Sequence, residues 1–232
     1  MKGKRNWSQA VILVGMAFIC GGLALASGGG PGISADEALK NLMDGNRRFV
    51  EQQMTGIRVC DVSAREKLAK GQKPYAIILS CSDSRVPPEL IFDEGLGEIF
   101  VVRVAGNIPD PIVLGSIEYA VEHLGSPLIM VLGHERCGAV TAAVDAKGKP
   151  EGNIGAIIKI IAPAVKQAKA EYKGNDKAEL VETTINGNIK LVASNITKLS
   201  SVLSRLVKEG KVKIVGAKYD LDDGKVTLMD MK

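Results

Sequence analysis

Two short stretches of this 232-residue chain hold the side chains best suited to chemistry. Cys81-Ser82-Asp83-Ser84-Arg85 sets a thiol, a carboxylate and a guanidinium at alternate positions. Gly133-His134-Glu135-Arg136-Cys137-Gly138 sets an imidazole three residues before a second thiol. Two thiolates and an imidazole suit zinc, and three protein ligands leave a fourth position for water, the pattern of a catalytic rather than a structural site. Taken singly, each half has a plain reading. A cysteine at a strand end is commonly a small buried residue, His-x-x-Cys arises by chance, and Asp83 with Arg85 reads as a structural ion pair. His123, the only other histidine, falls on the polar side of its helix and reads as a surface residue.

The conjunction gains its weight from the elements that must position it. Residues 75–80 (YAIILS), 99–104 (IFVVRV) and 128–132 (LIMVL) are short, continuously apolar runs, as expected of strands buried on both faces. Between the last two, Val113, Ile117, Ala120, Val121 and Leu124 recur at helical spacing, and Gly125 is placed to end that helix. Strand, helix, strand at this spacing predicts a βαβ unit and hence a parallel sheet. Both reactive stretches begin where a buried strand ends, and open parallel sheets collect ligands at that edge.

Outside this unit, Ser34-Ala35-Asp36-Glu37 has the form of a capping box opening a helix that carries Ala38, Leu42 and Phe49 toward Gln53. Residues 63–70 predict a second, shorter helix. A long helix carries Ile185, Ile189, Val192, Ile196, Leu199, Leu203 and Leu206 on one stripe and stops at Gly210. Residues 212–217 and 225–228 flank Asp222-Asp223-Gly224, a hairpin signal, so the sheet is expected to close with an antiparallel edge. The predicted fold class is α/β: a mainly parallel central sheet flanked by helices, in one domain over residues 34–232.

Residues 1–26 read as a signal peptide: Lys2, Lys4 and Arg5 precede an apolar run over residues 10–26, and Ala24-Leu25-Ala26 offers a small-x-small cleavage site. Residues 27–33 read as a linker. Export to the periplasm or the medium follows, with membrane attachment only through an uncleaved N-terminal segment. Setting Lys2, Lys4 and Arg5 aside lowers the 30 basic residues to 27, against 26 acidic ones. Such a balance argues against a nucleic-acid partner. Aromatic residues are scarce, and the single tryptophan is Trp7, which argues against a stacking surface. Without Cys20, the chain keeps Cys60, Cys81 and Cys137, an odd number with no disulfide framework. Two thiols persisting in an oxidising compartment are easier to understand if a metal holds them.

Cys-x-Asp-x-Arg after one strand and His-x-x-Cys-Gly after another resemble the signature of the β-class carbonic anhydrases. CSDSRVPPELIFDEGLGEIFVVRVAGN, GSIEYAVEHL and IMVLGHERCGAV are similar to that family's pattern, in its order. The resemblance implies one zinc ion per chain on Cys81, His134 and Cys137, with Asp83 and Arg85 as a dyad beside the fourth position. It implies that Gln72 and Gly138 line the bicarbonate pocket, that carbon dioxide and bicarbonate are the substrates, and that chains assemble as dimers or tetramers. Two thiolates donate more charge to a metal than imidazoles do and make its water less acidic. Asp83 would offset this by accepting a hydrogen bond there, held ionised by Arg85. Some members close the site with the aspartate as fourth ligand, a behaviour associated with a pocket tryptophan. The processed chain has none, so an open site is expected. Hydrolysis of carbonyl sulfide or carbon disulfide on the same scaffold, or a non-catalytic structural zinc module, are the rival readings.

Overall fold

The structure is a computed structural model and describes residues 30–56, 61–148, 150 and 152–231. The expected signal peptide over residues 1–26, residues 27–29 of the expected linker, Cys20 and Cys60 lie outside the described residues.

Ser34 caps the first helix, α1 (Ala35–Val50): its hydroxyl accepts from the Glu37 amide at 3.1 Å. The helix stops short of the expected Gln53, where Gln52 turns to φ 57°. Asp61 caps α2 (Val62–Leu68) in the same way. The three apolar runs form β1 (Ala76–Ser80), β2 (Ile99–Arg103) and β3 (Leu128–His134). Between β1 and β2 lies the single-turn α3 (Pro88–Ile91). After β2, a 3-10 turn (Ala105–Asn107) leads to α4 (Pro111–Leu124), which ends at Gly125 in the left-handed conformation, φ 71°.

The chain then forms α5 (Gly138–Asp145) and α6 (Ile154–Glu171), to which the sequence reading assigned nothing. The buried stripe of α6, Ile161, Ala164, Val165 and Ala168, is half alanine, so its helical period is faint in apolar patterning alone. The expected single long helix is two, α7 (Lys177–Leu199) and α8 (Ser201–Lys208). Ser200 breaks it, adopting an extended backbone and capping α8 by accepting from the Leu203 amide at 3.1 Å. A serine that satisfies the next helix's first amides competes with continuation of the previous one, and the apolar stripe runs on across the break. The chain closes with β4 (Lys213–Tyr219) and β5 (Val226–Leu228).

The five strands lie in the order β2-β1-β3-β4-β5, the first four parallel and β5 antiparallel to β4. The fold is thus the expected α/β arrangement with an antiparallel edge. β1 and β3 are buried along their whole lengths. Helix α7 lies against β3 and β4. Ile189 explains how closely: a Cβ added at Gly133 or at Gly216, on neighbouring strands, would come within 2.5 Å or 2.9 Å of its side chain. At the far edge, Asn46 of α1 is 4 % exposed and ties three segments together. Its Nδ2 donates to the carbonyls of Ile91 and Gly224, and its Oδ1 accepts from the Val226 amide. Among the described residues no helix is long and apolar enough to cross a membrane.

Candidate metal centre

Parallel pairing of β1 with its two neighbours brings three strand ends to one edge. Cys81 follows the last residue of β1, and Ser80 is in register with Arg103 on β2 and Leu132 on β3. His134 ends β3, and Cys137 is the cap residue of α5. Cys81, His134 and Cys137 are all buried, and one ligand atom from each lies within 4.8 Å of the other two. The two sulfurs are 4.0 Å apart. Two thiolates each about 2.3 Å from a tetrahedral zinc would sit roughly 3.8 Å apart.

The imidazole is oriented for the same purpose. His134 Nδ1 lies 2.8 Å from the Glu135 carbonyl, which can only accept, so Nδ1 carries the proton. That leaves a lone pair on Nε2, which is buried and has no hydrogen-bond partner among the described residues. A buried acceptor without a donor is costly, and a metal shared with two thiols satisfies it. The residues present therefore fit a zinc ion.

The charges agree. Cys81 is held well below the usual thiol range, first by its hydrogen bond to Cys137 and then, against the cost of burial, by the Gly106 amide. Cys137 is pushed up by the same contact with Cys81 and by burial. Without a cation the pair keeps one proton, because two thiolates at this distance repel each other. A dication between them removes that penalty and frees both sulfurs to bind. The Ala139 and Val140 amides at the start of α5 favour the anionic form of Cys137.

Asp83 stands at the rim, its Oδ2 3.9 Å from His134 Nε2. Arg85 grips it with two parallel bonds, Nε to Oδ1 at 2.9 Å and Nη2 to Oδ2 at 2.8 Å, and the Arg85 amide adds a third at 3.0 Å. This grip, first of all the guanidinium bonds, holds the Asp83 carboxyl well below the usual carboxylate range. Arg85 also donates to the Arg136 carbonyl at 3.4 Å. Arg136 itself sits at φ 50°; its amide donates to Glu182 and its guanidinium takes both oxygens of Asp222.

Gly138 adjoins Cys137 at the start of α5 and is exposed; a Cβ there would meet nothing within 4 Å, so it borders open space. Gln72 is not brought to this edge. It precedes β1 and lines a surface cleft with Leu68, Ile99 and Phe100, at the opposite end of the strands from the thiols. The length of β1 separates it from Cys81 of its own chain. His123 is exposed on α4, as expected, beside the Tyr119 ring.

Arg103 went unremarked in the sequence. Its Nε donates to the Cys81 carbonyl at 2.9 Å and its Nη2 to the Asp83 carbonyl at 2.6 Å, strapping the turn that carries both side chains. Its placement follows from the β1–β2 register, which a one-dimensional reading of the chain does not supply.

A family model described as carbonic anhydrase matches residues 76–226. Carbonic anhydrase 2 of Mycobacterium tuberculosis is 41% identical over 203 residues, covering 86% of this chain and 95% of that protein. Among solved structures, the β-carbonic anhydrase CafA of Aspergillus fumigatus superimposes with a TM-score of 0.69 at 26% identity, covering 85% of this chain and 91% of the other. One of two tetrameric β-carbonic anhydrases from Sordaria macrospora gives 0.65 at 26% identity, over 71% of this chain and 84% of that one. The chain belongs to the β-class carbonic anhydrases. Its activity is accordingly that of the family, the hydration of carbon dioxide.

Proposed function

We propose that this enzyme interconverts carbon dioxide and bicarbonate with one zinc ion held by Cys81, His134 and Cys137, and with Asp83 and Arg85 acting on the water at the metal. The observation that carries this is the buried, unpartnered His134 Nε2 facing two thiols, with an ionised carboxylate clamped beside them. Zinc, when bound, supplies a water acidic enough to lose its proton near neutral pH.

The chain's own groups do the rest. Asp83, ionised, can only accept, so a water next to it donates a hydrogen there and turns a lone pair toward the incoming carbon dioxide. Arg85 occupies both carboxylate oxygens and holds them off the metal position, which supports an open site. Burial of Cys81, His134 and Cys137 keeps competing ligands away, while the open space beside Gly138 admits a small substrate. Gln72 can serve this pocket only from a second copy of the chain, which accords with assembly into dimers or tetramers. The basic start and apolar run of residues 1–26 support export, which mass analysis of the mature N-terminus from a periplasmic fraction would test.

Stopped-flow carbon dioxide hydration by the zinc-loaded chain, from mildly acidic to alkaline pH, tests the assignment. Rapid turnover reaching neutral pH is expected. Turnover confined to alkaline pH would keep the reaction and overturn the open site. Absence of turnover with zinc bound would overturn the reaction in favour of carbonyl sulfide, carbon disulfide or a structural metal.

A further inference from the structure

Cys81 Sγ accepts a hydrogen bond from the Gly106 amide at 3.3 Å. That amide belongs to the 3-10 turn after β2, and the turn is conformationally unusual. Gly106 lies at φ 75° and Asn107 at φ 44°, two successive residues in the left-handed region. Glycine adopts that conformation without steric cost but also leaves it readily, so the turn needs restraint. Part comes from the Asn107 amide, which donates to the Val104 carbonyl at 2.9 Å. The remainder comes from α7. Asn188, 1 % exposed, donates from Nδ2 to the Gly106 carbonyl at 3.0 Å. A carbonyl only accepts, so this bond also decides which way the Asn188 amide points.

We propose that Asn188 is a positioning residue for the metal: by fixing Gly106 it fixes the N–H···S hydrogen bond on Cys81, and with it how strongly that thiolate donates to zinc. The inference rests on the zinc assignment above. A thiolate that accepts a hydrogen bond gives up part of its charge to the donor and is a weaker ligand donor. A zinc ion held there would then stay more electron-poor and its water more acidic. At a site with two thiolates, whose donation works against that acidity, one amide bond on one sulfur acts in the needed direction. Asn188 thus reaches the chemistry through a glycine that has no side chain to be selected for it. A Cβ at Gly106 would lie 2.8 Å from Ile161 Cδ1 and 3.3 Å from Ala139 Cβ, so the turn cannot be stiffened by substituting that residue itself.

The test uses the full chain loaded with cobalt for spectroscopy and with zinc for kinetics. Asn188→Leu keeps the branched side-chain shape, at a larger volume, and removes the donor; Asn188→Ala serves if the leucine variant fails to fold. Thr184→Val is the packing control: it lies one turn earlier on α7, is fully buried, and bonds only the Leu180 carbonyl of its own helix. In the Asn188 variants the sulfur-to-cobalt charge-transfer band should move to longer wavelength. The pH midpoint of turnover should rise by about half a unit or more. Thr184→Val should leave both where the unmodified protein has them. An Asn188 variant that binds cobalt with band and midpoint unmoved overturns the proposal, and so does an equal shift in Thr184→Val. An unmodified protein that takes up no cobalt on sulfur would instead overturn the metal assignment beneath it.

Discussion

Arg85 Nε and Nη2 close a two-point chelate on Asp83, at 2.9 Å and 2.8 Å, while Asp83 Oδ2 remains 3.9 Å from the ring nitrogen of His134. That geometry supports the proposed reading, in which the carboxylate orients a molecule at the metal position and does not take that position itself. Planar, paired donors to one carboxylate fix direction as well as charge.

Arg85→Ala should therefore release Asp83 toward the metal and lower turnover by about a hundredfold or more, with bound zinc retained. Arg85→Lys, a single-point donor, should fall between. Stopped-flow rates beside metal analysis of the same samples check this; full activity in the alanine variant would show that the chelate has no catalytic part.

Metal removal should expose the coupled thiols. Cys81 and Cys137 are free and buried, and the pair without a cation holds a reactive thiolate beside a thiol. Prolonged chelation should abolish activity and make two further thiols per chain available to a disulfide reagent, with both effects prevented when zinc is restored before the reagent is added. Thiol counts that do not change on chelation would place the metal elsewhere.

Glu94 links stability to pH through a group remote from the site. Burial pushes its carboxyl up to about 8, with Glu98 nearby adding to the effect. The folded state then keeps a proton that the unfolded chain loses near its ordinary value of 4.5. Stability from this group is whole below that lower value, falls as pH rises between the two, and is flat above the upper one. The loss over that window is on the order of 2 to 4 kcal/mol. Glu94→Gln should flatten the decline, giving a higher urea midpoint than the unmodified protein at pH 9 and little difference at pH 4. Parallel pH curves for the two proteins would refute this.

Asn46→Leu should destabilise the chain by about 2 to 4 kcal/mol. It leaves the Ile91 and Gly224 carbonyls and the Val226 amide without the side chain that joins them. Urea unfolding measures the loss, and because the terminal hairpin is what Asn46 pins, amide exchange at Val226 should accelerate first.

The strands and the clustering of Cys81, His134 and Cys137 were legible in the chain because each depends on local pattern: a short apolar run, then a reactive residue where it stops. What supports the ligands was not legible. Arg103 meets Cys81 only because β2 pairs with β1 in one register, and Asn188 meets Gly106 from 82 residues away. The break at Ser200 was masked by an apolar stripe that continues from α7 into α8. Gln72 was placed by resemblance alone; it precedes β1 while Cys81 follows it, so only a second copy of the chain could bring it to the pocket.

The contact of Ile189 with Gly133 and Gly216 ties the inventory of permissible substitutions on the sheet to the sulfur of Cys81. Those two glycines leave room for α7 to settle against β3 and β4, and Asn188 is the residue before Ile189. A methyl group gained at either glycine would press on the Ile189 side chain and strain the seat of the helix that carries Asn188. A bulkier residue at position 133 or 216 is therefore expected to need a smaller one at 189 if Asn188 is to keep its bond.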